Sequence, residues 1–200
     1  MLKTKGTVAE VLAMYDASAS QIFGSTQVYA NSELDTYCNT TFYNSLSNTM
    51  QNAVVAKTFQ QDSWYWSSGT SGGSGNPIYQ GTYQTTNNYR LGLNNAAFGS
   101  SISRKCYVLS VQDVIDYLGV TTSMGSADTT LTSENVWKMF WNQTTSPDST
   151  YPWLRSASAA ISYSAFYVRG NYGSLDDFYV DRSIAVRPAL QIDLSKISWS

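Results

Sequence analysis

Residues 151–200 set the strongest limit on the fold. They run Tyr151-Pro-Trp-Leu-Arg-Ser156, Phe166-Tyr-Val168, Gly170-Asn-Tyr-Gly173, Phe178-Tyr-Val180 and Ala185-Val-Arg-Pro-Ala-Leu-Gln-Ile192. Short aromatic and β-branched stretches separated by Gly and Asn read as strands joined by turns. Upstream the spacing becomes helical. Thr7 followed by Glu10 forms a capping box, and Val8, Val11, Leu12 and Tyr15 predict a helix over 8–15. Ser32 caps a second helical stretch reaching Phe42, Tyr43 and Leu46, and a third covers 47–53. Cys106-Tyr-Val-Leu reads as a strand that feeds the cap pattern Ser110-Val-Gln-Asp113 and a helix through Leu118, ended by Gly119. A further helix over 133–141 pairs Trp137 with Trp141. Val54-Val55 and Trp64-Tyr65-Trp66 read as strand, 67–77 as a flexible Gly/Ser loop, and 78–104 as short irregular strands. Helices first and strands last predict one α+β domain over 1–200. Its helices would lie mainly in the first 140 residues, with a small antiparallel sheet at the C-terminal end.

Composition removes several function classes. The chain contains no histidine, which excludes most hydrolase triads and zinc sites. Cys38 and Cys106 share no short spacing, so a Cys-rich metal site is excluded too, and both cysteines read as structural. A disulfide between them stays open but unsupported, and two buried free thiols are the favoured reading. No metal or other cofactor is expected. With 12 Lys and Arg against 14 Asp and Glu, and no basic run, nothing offers a phosphate-tracking groove for nucleic acid. Residues 1–18 lack the uninterrupted apolar core of a signal peptide, and no stretch approaches the ~18 apolar residues of a membrane span. The chain therefore reads as soluble, with no membrane insertion.

Between Leu154 and Leu190 there is no Lys, Glu, Gln, Met or Trp. A β-rich segment that disfavours long side chains explains this in one way. The residues present instead are Ser, Tyr, Asp, Asn, Gly, Ala, Arg and Phe, the palette of adaptable paratopes. Trp153-Leu-Arg-Ser156, Phe166-Tyr-Val168, Gly170 and Val186-Arg-Pro-Ala-Leu190, with Thr41-Phe-Tyr-Asn-Ser-Leu and Leu109-Ser-Val-Gln-Asp-Val upstream, resemble an uncharacterised bacterial domain family that ends in a WLRS…VRPAL signature. Some proteins with this ending are similar to the variable proteins of diversity-generating retroelements. The resemblance implies a C-type-lectin-like fold, with 154–190 as a variable ligand-binding region and a bacterial cell surface or phage tail as its location. In those systems template AAY codons become NNY codons, and NNY cannot encode the five residue types missing here. Thr is encodable by NNY yet absent from 151–200, and only Asn171 looks like an unmutated Asn.

By the resemblance, Trp153, Leu154, Arg155, Phe166, Val168, Gly170, Gly173, Val180, Val186, Arg187 and Pro188 form the scaffold. The positions between them form the candidate contact set. Its small and aliphatic members are Ser158, Ala160, Ser162, Ser164, Ser174, Ser183 and Ile184. Tyr163, Tyr172, Phe178 and Tyr179 are candidate aromatic anchors, with Phe178 and Ile184 the members most expected to be buried. Arg169 and Arg182, opposite Asp176, Asp177 and Asp181, would supply charge complementarity. Adjacent in an extended strand, Asp176 and Asp177 would face opposite ways and read as a solvated pair. Together these readings predict a non-enzymatic receptor or adhesion protein that binds a protein or surface glycan, its C-terminal region diversified by a retroelement. The main rival is a non-diversified cell-surface carbohydrate-binding or adhesion module, with Trp64, Tyr65 and Trp66 stacking on sugars. Calcium-dependent sugar binding has only Trp141-Asn142-Gln143 as a faint echo of the usual motif. Nothing in the sequence specifies an oligomeric state.

Overall fold

A computed structural model describes residues 2–4, 10–14, 17–64, 98–118, 133–142, 150–158 and 161–197. The expected loop at 67–77, residues Tyr65 and Trp66, and most of 78–104 lie outside the described residues.

Among the described residues, thirteen strands run from near one end of the chain to near the other. The first eight are β1 (Leu2–Thr4), β2 (Glu10–Met14), β3 (Ala17–Gln21), β4 (Val54–Val55), β5 (Lys57–Phe59), β6 (Ser63–Trp64), β7 (Ile102–Arg104) and β8 (Cys106–Tyr107). The last five are β9 (Trp153–Ser158), β10 (Ser164–Arg169), β11 (Ser174–Tyr179), β12 (Ile184–Val186) and β13 (Ala189–Asp193). Helices are few and short among the described residues. They are α1 (Glu33–Thr36), continued by a π-helical turn Tyr37–Phe42 into α2 (Tyr43–Ser45), then α3 (Asn48–Ala53), α4 (Val111–Leu118) and α5 (Ser133–Trp141).

The expected division into early helices and late strands is therefore wrong. Eight of the described strands lie in the first 140 residues, and no C-type-lectin fold is shown. The capped helix over 8–15 is replaced by β2, because Val11, Leu12 and Ala13 pair with Ile192, Gln191 and Leu190 of β13 on one side and with β1 on the other. Two neighbouring strands satisfy this backbone, and they outweigh a local capping signal. The caps that do form lie where no strand competes. Ser32 Oγ accepts from Asp35 N at 3.1 Å, Ser47 Oγ from Met50 N at 3.3 Å, and Ser110 Oγ from Asp113 N at 3.0 Å.

The strands form four sheets rather than one at the C-terminal end. The first is β1-β2-β13-β4, with β8 also paired to β13, so this sheet is built from both ends of the chain. The second has the order β11-β10-β9-β6, in which β6 runs parallel to β9. Two-stranded pairs β12-β3 and β5-β7 complete the set.

One apolar core joins these layers, from Phe23 to Ile192. Trp153 is 1% exposed, lies 5.6 Å from the Phe23 ring, and donates its indole N–H to Gln21 O at 2.9 Å. Such a ring is buried at low cost because its polar edge is satisfied. A charged cluster sits within the same core. Arg155 reaches Asp113 at 2.6 Å and Val108 O at 2.7 Å, and its guanidinium lies 4.1 Å over the Phe59 ring. Lys57 reaches the other oxygen of Asp113 at 2.7 Å. Asp62 accepts from Ser156 at 2.5 Å and Trp64 at 2.7 Å. These bonds tie β9 to the start of α4 and to β5 and β6. Cys38 and Cys106 are both buried free thiols.

Candidate functional site

The second sheet ends in the hairpin β10–β11, and β11 is its edge. Register pairs Ala165 with Phe178, Tyr167 with Asp176, and Arg169 with Ser174. Alternation then puts Tyr167 and Arg169 on one face and Phe166 and Val168 on the core face. The hairpin turn closes on Arg169 O, which accepts from Tyr172 N at 3.2 Å and Gly173 N at 2.7 Å. Gly173 has φ +58°, a left-handed conformation that suits glycine. Trp137 of α5 donates its indole N–H to Gly170 O at 2.6 Å and braces this turn.

The connection from β9 to β10 is held from beneath. Gln27 Nε2 donates to the carbonyls of Ser158, Ile161 and Ser164 at 2.9, 2.9 and 2.8 Å. Tyr163 O accepts from Val180 N at 3.0 Å, which brings Tyr163 beside the end of β11. An aromatic row results, with ring centroids 5.9 Å apart for Tyr151–Tyr167, 5.8 Å for Tyr167–Phe178, 6.3 Å for Phe178–Tyr179 and 6.0 Å for Tyr179–Tyr163. It starts against the buried Trp153, 6.5 Å from Tyr167, and ends in solvent.

A polar cluster adjoins the row. Asp176 Oδ2 lies 3.2 Å from Arg169 Nη1 and accepts from the Tyr167 hydroxyl at 3.3 Å, while Oδ1 accepts from Asp177 N at 2.8 Å. Burial raises the Asp176 carboxyl above its usual range, against the lowering pull of the Asp177 amide and the Arg169 charge. Burial, then the Asp176 charge, pushes the Tyr167 phenol up. The Arg169 guanidinium also lies 4.5 Å over the Tyr172 ring. Asp181 and Arg182 are 3.8 Å apart but both exposed, so their pairing contributes little.

The contact set divides by depth. Ser162, Tyr163, Tyr172, Phe178, Tyr179, Asp181, Arg182 and Ser183 are exposed, and Arg169, Asp177 and Ile184 are half-buried. Ser158, Ser164 and Asp176 are buried and shape the hairpin from below. Ala160 and the Ser174 side chain lie outside the described residues. Two expectations change. Phe178 is exposed rather than buried, because it sits on the outer face of an edge strand. Asp176 is not solvated, because Tyr167 and Arg169 close over it.

Sequence reasoning missed Tyr151 and Tyr167, the inner half of the row. Two-residue alternation from Arg169 could have found Tyr167. No local signal marks Gln27 or Trp137, whose partners are distant in sequence. Trp64 offers no stacking face, since it is 2% exposed and its indole N–H is bonded to Asp62. Among the described residues, no three of Cys, Asp and Glu converge as a metal ion would require. Nor is any helix among them long and apolar enough to cross a membrane.

Residues 10–194 match the sequence model of a family described as a domain of unknown function (DUF6273). No curated protein and no solved structure matches the chain.

Proposed function

Because the chain belongs to a family of unknown function that spans residues 10–194, its own surface must supply the reading, and we propose that it is a binding protein with no catalytic step. Its contact face is the β10–β11 hairpin with the loops on either side. The observation that carries this is the placement of the exposed large hydrophobic residues. Among the described residues these are Tyr163, Tyr172, Phe178 and Tyr179, and all four fall within 154–190. Clustered exposed aromatics are costly to leave in water and supply rigid contact area to a partner.

The same region is read as diversified by a retroelement. All eleven scaffold positions expected from the resemblance, Trp153 and Arg187 among them, are buried. Of the fourteen intervening positions with described side chains, eight are exposed. A surface that varies on a constant frame needs such a division. The five residue types absent from 154–190 support the same reading. The partner is a protein or a surface glycan, held by aromatic burial on a preorganised sheet.

The deciding experiment is to sequence the locus and assay variants. A nearby reverse transcriptase, with a near-copy of the gene's 3′ end differing at adenines, is the expected result. Natural variants that differ only within 158–184 should then bind different targets in a protein and glycan screen. Synonymous drift across the window, with identical binding from all variants, overturns the diversified reading. Target binding that survives Tyr163→Ala/Tyr179→Ala unchanged overturns the choice of face.

A further inference from the structure

A second feature lies on the segment between β3 and α2. Ser25, Asn31, Glu33, Thr36, Tyr37 and Thr41 line an open groove of about 780 Å³. A second hollow of about 550 Å³ shares Asn31 and Thr36 with it and continues past Thr40 and Asn44 to Lys105. The two form one channel of mixed polar and apolar lining along α1 and the π-helical turn. π-Helical turns occur frequently at functional sites.

The charges along this channel are largely committed to one another. Asp35 accepts from Arg104 Nη2 at 2.7 Å, from Arg104 Nε at 2.8 Å, from Asn31 N at 2.8 Å and from Asn39 Nδ2 at 2.9 Å. Lys105 Nζ donates to the Tyr43 hydroxyl at 3.0 Å. By contrast, the side chains of Thr36, Thr41, Tyr37, Asn44 and Glu33 make no hydrogen bond among the described residues. The channel thus offers hydroxyls and an amide that both donate and accept, one free carboxylate, and one half-buried aromatic ring.

We propose that this channel is a separate binding site for a neutral oligosaccharide. Glu33, Thr36, Thr41 and Asn44 are exposed and solvated, and a ligand that replaces their water without loss carries hydroxyls able to donate and accept. The Tyr37 ring offers the flat apolar surface that a pyranose ring covers. An anionic ligand would meet the free Glu33 carboxylate, while the Arg104 guanidinium is already held by Asp35. An extended peptide would need apolar pockets for alternate side chains, and the aliphatic part of this lining is limited to Val28 and Ala30. Its lining shares no residue with the hairpin contact set, although Gln21 at one end pairs with Ile184, and the site makes its own prediction.

The test is an NMR titration of the full chain with neutral oligosaccharides of glucose, xylose, mannose and N-acetylglucosamine, alongside an oligogalacturonate and a set of extended peptides. At least one neutral oligosaccharide should bind saturably and shift resonances of residues 31–44. Tyr37→Ala should weaken that binding about tenfold, in line with loss of a stacked ring. Tyr37 also packs on the core. Thr36→Trp, at an exposed position, therefore supplies a variant that blocks the channel with the fold intact, and it should abolish binding. Tyr163→Ala/Tyr179→Ala should leave it unchanged. The proposal is overturned if no neutral oligosaccharide binds, if the oligogalacturonate or peptides bind in preference, or if Thr36→Trp retains full binding.

Discussion

At the scale of single residues, the buried charges around Asp113 decide more than any surface pair. Burial alone would raise the Asp113 carboxyl, but Arg155 and Lys57 outweigh it and hold the group well below the usual carboxylate range. The native state then binds this proton less readily than the unfolded chain. The stability from Asp113 is therefore fully present above the ordinary carboxylate pKa of about 4 and is lost progressively as the pH falls below it. Asp113→Asn should cost about 3–5 kcal/mol at neutral pH, since it leaves Arg155 buried without its counter-charge. Urea midpoints measured from pH 7 down to pH 3 should also fall less steeply for Asp113→Asn than for the parent. Equal slopes would show that other carboxylates carry the acid response. Arg155 was legible as a scaffold position in the sequence. Its partner Asp113, and Lys57 on the other oxygen of Asp113, were not, because nothing local links three residues on β5, α4 and β9.

At the scale of elements, what the sequence discloses depends on whether a local signal meets a competing neighbour. The turn Gly170–Gly173 was legible because its chemistry is local, and it forms with Gly173 at φ +58°. Gly173→Val should cost about 1–2 kcal/mol or more, the penalty for a side chain in the left-handed region, with a β-branched residue at the high end. Thermal melts of the intact chain measure this. Gly173→Asn should cost less, because Asn tolerates that conformation. Since the turn sets the β10–β11 register, Gly173→Val should also disturb Tyr172, Phe178 and Tyr179 together, visible as coupled changes in their side-chain NMR signals. The segment 8–15 shows the opposite case. Its capping box and 3.6-residue spacing were sound local reasons for a helix. Pairing with β1 and β13 decided otherwise, and a strand from the far end of the chain leaves no trace in the nearby sequence.

At the scale of the whole molecule, the first sheet closes the chain on itself. β13 pairs with β2 on one side and with β4 and β8 on the other, so it lies inside the sheet, whereas β1 pairs with β2 alone among the described residues. The exposed end of the candidate site could be read from residue types within 154–190, but the sheet supporting it could not. Its parallel neighbour β6, its brace Gln27 and its buttress Trp137 come from three distant parts of the chain. This arrangement predicts that stability depends unequally on the two ends. Removing residues 189–200 deletes a central strand together with Leu190 and Ile192, which are 0% and 3% exposed, and strips pairing from three strands at once. That truncation should abolish cooperative unfolding in calorimetry and near-ultraviolet circular dichroism. Removing residues 1–9 deletes the edge strand β1, and the remaining chain should still unfold cooperatively at a lower midpoint. Equal loss from both truncations would mean that the core around Trp153, rather than the closing sheet, holds the fold together.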